Sequence, residues 1–248
     1  MDQSVRPLPQ PVASVEDQSG IASWFDRTYT NRGLRYLRPV QAYHLFLSLM
    51  QVKPGGRLLD VACGPGQLLL AADAFGARLS GIDISSVAVD LCRKRLPQAD
   101  VHCGNAEQLP FPENTFDYIT CLGSLERFID REKALREQFR VADPDARFCY
   151  LVRNAQSFKW RFFKEKLRLK NEEGHQDALT LDAWRSLFEK TGFEIIHILP
   201  DHWPAMKWRH YLRLGLGVPL DYSAAPASGR NLSRANEFIF LLRKRTHG

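Results

Sequence analysis

The sequence predicts an α/β fold in which helices alternate with the strands of a parallel sheet. After residue 56, short apolar runs alternate with stretches of helical periodicity, and this alternation indicates β–α–β units. The run at residues 57–62 passes directly into a glycine-rich turn and then into a helical pattern. With 248 residues, 44% of them hydrophobic, the chain is long enough to form one sizeable core.

Each element of this fold is predicted from its periodicity and its boundary residues. The serines at 85 and 86 are suited to capping a helix N-terminus, so one helix is expected to begin there. The predicted strands are 57–62, 78–84, 100–103, 118–122 and 147–152. The predicted helices between them are 67–75, 86–96 and 131–141.

Two segments are expected to precede the sheet. Residues 1–20 are rich in Pro, Ser, Gln and Val without an apolar period, so they are predicted to form a disordered tail. Residues 21–56 space their aromatic and aliphatic side chains as short amphipathic helices do, with Pro39 at a helix start. They are therefore expected to form an N-terminal helical cap on the domain that extends from residue 21 to residue 248.

The rest of the domain divides into a cofactor-binding half, residues 57–154, and a substrate-side half, residues 155–248. In the second half the pattern predicts a helix at 181–191 and strands at 193–199 and 237–242. The insertion between those strands, residues 200–236, is too long for a tight hairpin and too aromatic for a simple linker.

Composition excludes several classes of protein. The longest apolar run is too short to span a membrane and the N-terminus lacks the apolar segment of a secretory signal, so a cytoplasmic location is expected. The five cysteines show no ligand spacing and no pairing pattern, so neither a metal site nor a disulfide framework is predicted. The net charge is +6, with the basic excess after residue 150, which suits an anionic partner or a solvated basic face.

The glycine-rich turn is the first element with a chemical meaning. Residues 58–66 read Leu-Leu-Asp-Val-Ala-Cys-Gly-Pro-Gly, and small residues at such a turn allow the backbone to approach a ligand closely. Asp83 closes the next strand, where an acidic group would accept the ribose hydroxyls of an adenosine cofactor. Two more motifs follow, Gly-Asn-Ala-Glu-Gln-Leu-Pro-Phe at 104–111 and Asn-Thr-Phe-Asp at 114–117.

In order and spacing these four motifs resemble those of the class I S-adenosylmethionine-dependent methyltransferases, specifically the methyltransferase type 11 group. The resemblance covers residues 58–128 and follows that group's pattern of D-x-x-C-G-x-G, G-x-D-x-S, D-A-x-x-L-P-F and F-D. It implies a Rossmann-like seven-stranded sheet with helices on both faces and an antiparallel last strand. It also implies S-adenosylmethionine as cofactor and S-adenosylhomocysteine as product.

The resemblance also implies which residues bind that cofactor. The methionine part would lie beside Asp60, the small residue Ala62 and the backbone of the turn, with a tyrosine of the cap reaching its carboxylate. The ribose would bind Asp83, and the adenine would lie against Ile84 with its edge at Asn105. The full set of predicted cofactor residues is Tyr29, Asp60, Ala62, Gly64, Gly66, Asp83, Ile84, Asn105, Ala106, Leu122 and Gly123.

Two positions depart from the family pattern, which often has glycine in place of Ala62 and aspartate in place of Asn105. Alanine is still small, and the carbonyl oxygen of asparagine can still accept a hydrogen bond from the adenine amine. A dinucleotide is a poorer fit because Leu69 stands where the third glycine of a dinucleotide-binding turn would be.

Catalytic residues are predicted less directly, because methyl transfer from a sulfonium depends mainly on alignment of the acceptor. Glu126 could act as a general base or could simply be a carboxylate at the entry of a helix. Arg127 stands where relatives often have histidine, and since it cannot lose a proton it could only hold an anionic substrate. His175 is the second candidate base, and a solvated loop histidine is the alternative.

The expected acceptor is a small molecule or a lipid-linked molecule, bound beneath the aromatic and basic segments 158–168 and 203–211. The same segments could instead pack on the sheet or make peripheral contact with a membrane. Nucleic acid is not the expected partner, although an RNA methyltransferase is one alternative function because of the basic second half. The other alternative function is that of a domain that keeps the cofactor but has lost or changed the methyl-transfer chemistry.

Overall fold

The computed structural model describes residues 18–35, 37–158, 160–162, 177–201, 203, 232 and 235–245. Within them seven strands form one sheet in the order β3-β2-β1-β4-β5-β7-β6. The strands are β1 Arg57–Val61, β2 Arg78–Asp83, β3 Asp100–Cys103, β4 Phe116–Leu122, β5 Ala142–Arg153, β6 Phe193–Pro200 and β7 Glu237–Lys244. The helices are α1 Gln18–Arg32, α2 His44–Met50, α3 Gln67–Asp73, α4 Ser86–Arg95, α5 Arg131–Val141 and α6 Leu181–Lys190.

The strand directions confirm the predicted architecture. The pairs β1–β2, β1–β4, β2–β3 and β4–β5 are parallel, whereas β7 runs antiparallel to both β5 and β6. The order of strands reverses between β1 and β4, because β2 and β3 extend to one side and β4 to β6 to the other. Ligands of open α/β sheets bind outside the carboxyl ends of the strands at such a reversal.

Two apolar layers cover the two faces of the sheet. Successive side chains of a strand point to opposite faces, so Phe148 and Tyr150 of β5 enter one layer while Cys149 and Leu151 enter the other. The first layer contains residues of α5 and α6, and the second contains residues of α2, α3 and α4. The prediction of helices on both faces is therefore confirmed.

Most element boundaries agree with the prediction within a few residues. Ser85 caps α4 as expected, since its Oγ accepts a hydrogen bond from Ala88 N at 3.1 Å. β5 begins earlier than predicted, at Ala142, because it continues to pair with β4 across an irregularity in register. The cap is helical as predicted, with α1, a 3₁₀ turn at Val40–Tyr43 and α2.

The predicted boundary of the N-terminal tail is wrong at its end. Residues 18–20 belong to α1 and not to a tail, and the Gln18 side chain donates a hydrogen bond to Glu107 at 3.0 Å. This contact is long-range, so the local sequence pattern contained no sign of it. Residues 1–17 and most of the predicted insertion 200–236 lie outside the described residues. No helix in the described part of the chain is both long and apolar enough to cross a membrane.

Candidate functional site

A cleft opens at the carboxyl ends of β1 to β4, and α1 forms one of its walls. Its volume is about 580 Å³ with the open mouth included. The cleft therefore lies where the strand order reverses, as expected for a ligand site in this class of sheet. It is lined by Gln18, Ile21, Phe25, Tyr29, Ala62, Ile82, Asp83, Ile84, Gly104, Asn105, Ala106, Glu107, Ser124, Arg127, Phe128 and Ile129.

The structure brings the predicted cofactor residues to this region but not all of them to its surface. Six line the cleft, namely Tyr29, Ala62, Asp83, Ile84, Asn105 and Ala106. The other five, Asp60, Gly64, Gly66, Leu122 and Gly123, belong to the strand ends and the turn and are not among its lining residues. The two sets are connected, because Gly64 is hydrogen-bonded to Asp83.

The turn after β1 needs a left-handed backbone at three positions. The φ angles are +60° at Ala62, +53° at Gly64 and +80° at Gly66. A Cβ atom at Gly64 would lie 2.7 Å from the Tyr29 hydroxyl oxygen, and one at Gly66 would lie 2.5 Å from Cys92 Sγ. Conformation therefore favours glycine at both positions, and any larger residue would also have to displace these neighbouring side-chain atoms.

Ala62 is the residue for which the sequence-based expectation was incomplete. Its small side chain does leave it at the surface of the cleft, as predicted. The backbone, however, keeps the φ of +60° that glycine adopts readily, and an L-residue there costs about 1–2 kcal/mol. The alanine is thus accommodated with strain.

Asp83 organises the turn and the start of α4 through both of its carboxylate oxygens. Oδ2 accepts a hydrogen bond from Gly64 N at 2.7 Å, and Oδ1 accepts one from Ser85 N at 2.9 Å. Burial raises the pKa of this carboxyl to about 6, although both backbone hydrogen bonds lower it. Each oxygen can still accept another hydrogen bond, so the carboxylate is positioned and remains able to bind two hydroxyl groups.

Asp60 lies deeper, at 4% exposure, and its Oδ1 accepts a hydrogen bond from Thr120 Oγ1 at 2.7 Å. Burial raises its pKa to about 7, and the negative charge of Asp83 acts in the same direction. Among the described residues no lysine or arginine forms an ion pair with either carboxylate. Two buried acidic groups thus lie at the ends of β1 and β2, without an ion-pair partner in the part of the chain that the structure describes.

The cleft also presents the side-chain amide of Asn105. Asn105 Oδ1 accepts a hydrogen bond from Glu107 N at 2.9 Å, which fixes the side-chain amide against the loop after β3. One lone pair of that oxygen and the Nδ2 group remain for a ligand. Ile84 and Ala106 lie beside it as apolar walls. A planar heterocycle with hydrogen-bonding edges fits this combination.

The wall formed by α1 is held to the site by contacts that sequence reasoning missed. Asp26 accepts hydrogen bonds from Ser85 Oγ at 2.6 Å and from Val87 N at 3.3 Å. Arg127 lines the cleft with its guanidinium 5.5 Å from the ring centre of Trp24 and 5.2 Å from that of Phe25. No sequence signal marked Asp26, because its partners are 59 and 61 residues away.

Of the two predicted bases, only Glu126 is among the described residues, and His175 lies outside them. Glu126 is fully buried in a 3₁₀ turn, Leu125–Arg127, that follows β4. Its Oε1 is 3.4 Å from Arg153 Nε, so the side chain is directed towards the end of β5 and does not line the cleft. Glu126 also stands in the first turn of this 3₁₀ helix, as the helix-entry alternative expects, whereas the cap of α5 is Asp130, which accepts from Lys133 N.

Known proteins resemble this chain in part of its sequence and in its fold. A family model described as a methyltransferase domain matches residues 59–150. A demethylmenaquinone methyltransferase of Listeria welshimeri is 36% identical over 106 residues, which are 40% of this chain and 45% of that protein. One from Lysinibacillus sphaericus is 39% identical over 101 residues, 38% of this chain and 43% of that protein. The chain thus spans less than half the length of these curated relatives.

Solved structures resemble the fold of this chain over more than residues 59–150, the segment that the family model matches. A protein of Thermotoga maritima, described as an S-adenosylmethionine-dependent methyltransferase and possible histamine N-methyltransferase, has a TM-score of 0.62 at 20% identity, over 92% of this chain and 100% of that one. The [4+2]-cyclase SpnF has a TM-score of 0.59 at 22% identity, over 84% and 81% of the two chains. Residues 59–150 therefore resemble a methyltransferase domain, and the described residues share the fold of an S-adenosylmethionine-dependent methyltransferase of known structure.

Proposed function

We propose that this protein is an S-adenosylmethionine-dependent methyltransferase that acts on a small or lipid-linked acceptor. The observation that carries the proposal is the pair of buried acidic groups, Asp60 and Asp83, which form no ion pair with a lysine or arginine of the described residues. Buried charges are costly unless they are paired. S-adenosylmethionine would supply both an ammonium and a sulfonium to this end of the cleft.

The cleft provides a group for each part of the cofactor. Asp83 would accept the two ribose hydroxyls through the free lone pairs of its oxygens. Ile84 would contact the adenine face, with Asn105 and the Ala106 backbone at its edge. The methionine part would lie at the turn and at the end of β4, next to Tyr29, Asp60, Ala62, Gly64, Gly66, Leu122 and Gly123.

The bound cofactor would supply an electrophilic methyl group, and the protein's task would be to align the acceptor with it. Glu126 and His175 are the proposed candidates for removing a proton from the acceptor. The proposed division of labour keeps cofactor binding in residues 57–154 and acceptor binding in residues 155–248. Peripheral membrane contact and a cytoplasmic location are further proposals, and both would suit a lipid-linked acceptor.

The proposed class of acceptor is supported by the curated relatives, which are named for methylation of demethylmenaquinone. An RNA substrate has less support, because the described lining of the cleft is mainly acidic, polar and apolar, with Arg127 as its one basic residue. A role without methyl transfer remains the second candidate, since a cyclase shares this fold.

The test has a binding step and a turnover step. Calorimetry should show that the protein binds S-adenosylmethionine and S-adenosylhomocysteine, and both should raise the melting temperature. Incubation with methyl-labelled cofactor and an organic extract of cells should then transfer label to the extract. Binding without transfer to the organic extract, to RNA or to aqueous metabolites would favour the non-methylating role, and absence of binding would contradict the proposal.

A further inference from the structure

One part of the cleft has no role in the proposed cofactor contacts. α1 and the segment that follows β4 both contribute apolar side chains to it, and the second of them adds one charged group. This part, which we call the α1–β4 part of the cleft, is lined by Ile21, Phe25, Arg127, Phe128 and Ile129. It offers a second ligand an apolar surface that carries a cation.

A hydrogen-bonded bridge connects the two walls of the α1–β4 part. Glu107, in the loop after β3, accepts a hydrogen bond from Gln18 Nε2 of α1 at 3.0 Å. Its other carboxylate oxygen accepts one from Asp130 N at 3.1 Å, directly after Ile129. Glu107 is buried, and hydrogen bonds of a buried carboxylate are stronger than those of an exposed one. The bridge therefore holds α1 against the segment after β4 and gives this part of the cleft a defined shape.

Aromatic rings of α1 position the Arg127 guanidinium. Its central carbon lies 5.5 Å from the ring centre of Trp24 and 5.2 Å from that of Phe25. Contacts of this kind use the flat face of a guanidinium, whereas its N–H groups point outward in its plane. That plane matches the geometry of a carboxylate or phosphate. Arg127 is half-buried, so its charge is screened less than that of a surface arginine.

The charge of Arg127 is permanent and is the one positive charge of the described lining. The anionic group of the cofactor, its methionine carboxylate, is proposed to lie elsewhere, at the turn after β1. Tyr29 marks that place, since a Cβ atom at Gly64 would lie 2.7 Å from its hydroxyl oxygen. Phe25, which contacts Arg127, is one helical turn before Tyr29 in α1. The proposed cofactor position thus leaves Arg127 to a second ligand.

We propose that Arg127 binds an anionic group, a carboxylate or a phosphate, of the methyl acceptor. The apolar part of that acceptor would lie against Phe25, Phe128 and Ile129. This inference rests on the proposed methyltransferase function and assigns a charge class to the acceptor. Arg127 would orient the acceptor and would take no part in proton transfer.

The site would select its acceptor by charge. A neutral analogue that filled the α1–β4 part would cover a half-buried guanidinium without giving it an acceptor for its hydrogen bonds. Sites built to bind a polar group reject analogues that lack that group more strongly than apolar pockets reject a change in size. Arg127 is therefore expected to determine specificity.

The test uses three naphthalene probes that share one ring system and differ in charge. They are 2-naphthoate, 2-naphthyl phosphate and the neutral 2-naphthamide, each titrated by calorimetry into the full chain saturated with S-adenosylhomocysteine. At least one of the two anions should bind about tenfold or more tightly than the amide, and a higher potassium chloride concentration should weaken only the binding of the anions. Comparison of the two anions distinguishes a carboxylate acceptor from a phosphate acceptor.

Three variants make the test specific. Arg127→Gln should lower the affinity for the preferred anion about tenfold or more, to that of the amide, while affinity for the amide stays within about twofold. Arg127→Lys keeps the charge, so it should recover part of the preference, and it also serves if the glutamine variant does not fold. The matched control is Arg136→Gln, which removes an exposed arginine that pairs with Glu132 on α5 and should leave all three affinities unchanged.

Affinity for S-adenosylhomocysteine is measured in the same proteins. It should stay within about twofold of wild type in Arg127→Gln, because the proposed cofactor contacts do not include this residue. Absence of cofactor binding in the wild type would contradict the proposed function, and titration of the probes into ligand-free protein would still test the anion site by itself.

Three results would overturn the inference. One is a wild-type protein with no preference for either anion over the amide. Another is a folded Arg127→Gln variant that keeps the full preference, which would mean that a different group binds the anion. The third is a folded Arg127→Gln variant that loses cofactor affinity about tenfold or more, which would assign Arg127 to the cofactor carboxylate.

Discussion

Replacement of Asp60 by asparagine tests whether ionisation of this buried carboxyl destabilises the folded protein. Burial is the main cause that raises the Asp60 pKa from 3.8 to about 7, with Asp83 contributing in the same direction and Thr120 opposing. A carboxyl whose pKa is higher in the folded state loses stability as the pH rises from the unfolded value to the folded one. The full shift corresponds to about 4 kcal/mol once the group is ionised.

Most of this loss falls in an accessible pH range. Between about pH 5 and about pH 8 the ionisation of Asp60 should lower the free energy of unfolding by about 3 kcal/mol. Asparagine cannot ionise, and its Oδ1 can still accept the Thr120 hydrogen bond. The wild-type melting temperature should therefore fall by roughly 6–12 °C more than that of Asp60→Asn over this range.

The assay is differential scanning calorimetry of the ligand-free protein across the pH range. Asp90→Asn is the matched control, because it makes the same chemical change at an exposed position of α4. Its melting curve should follow that of the wild type. Parallel pH dependence of wild type and Asp60→Asn would refute the account, since it would mean that Asp60 is already ionised at low pH.

The same variant should lose affinity for the cofactor. An ammonium beside Asp60 favours the ionised form, so binding to the wild type near neutral pH should release a proton. Calorimetry in two buffers of different ionisation enthalpy would measure that release. In Asp60→Asn the release should be lost, and affinity should fall about 10- to 100-fold, as expected for a hydrogen bond to a charged group.

Three further substitutions examine other parts of the cleft. Asp83→Ala removes the proposed ribose acceptor and leaves Gly64 N and Ser85 N without their partner, so calorimetry should show cofactor affinity at least about 100-fold weaker and a lower melting temperature. Ala62→Gly should raise the free energy of unfolding by up to about 1 kcal/mol in urea titrations, because relief of the positive φ exceeds the entropic cost of glycine. Asp26→Ala should weaken cofactor binding about tenfold with little change in global stability, because it releases α1 from the start of α4. Equal affinity in the Asp26 variant would mean that α1 does not help to form the site.

The local patterns were sufficient for the sheet and for the turn. Alternation of apolar runs predicted every strand of the described sheet, because period and length are local properties of a sequence. The glycine turn and Asp83 were predicted together, since both are determined by the geometry at a strand end. The prediction of the antiparallel strand came from the family resemblance and not from the residues themselves.

The contacts that close the site could not be predicted in the same way. Asp26 and Gln18 act on residues that are 59 and 89 positions away, and neither has a distinctive neighbour in sequence. The orientation of Glu126 depends on Arg153, which the sequence placed only at the end of a strand. Local pattern does not encode which side of a turn a carboxylate will face.

The two acidic groups at the ends of β1 and β2 also predict which form of the cofactor the site would bind more strongly. Asp60 and Asp83 are buried carboxylates without a lysine or arginine partner among the described residues, which favours a cationic ligand. Methyl transfer removes the positive charge of the sulfonium and leaves a neutral sulfur. The site would therefore bind S-adenosylmethionine more strongly than S-adenosylhomocysteine, and calorimetry with the two ligands would measure the difference.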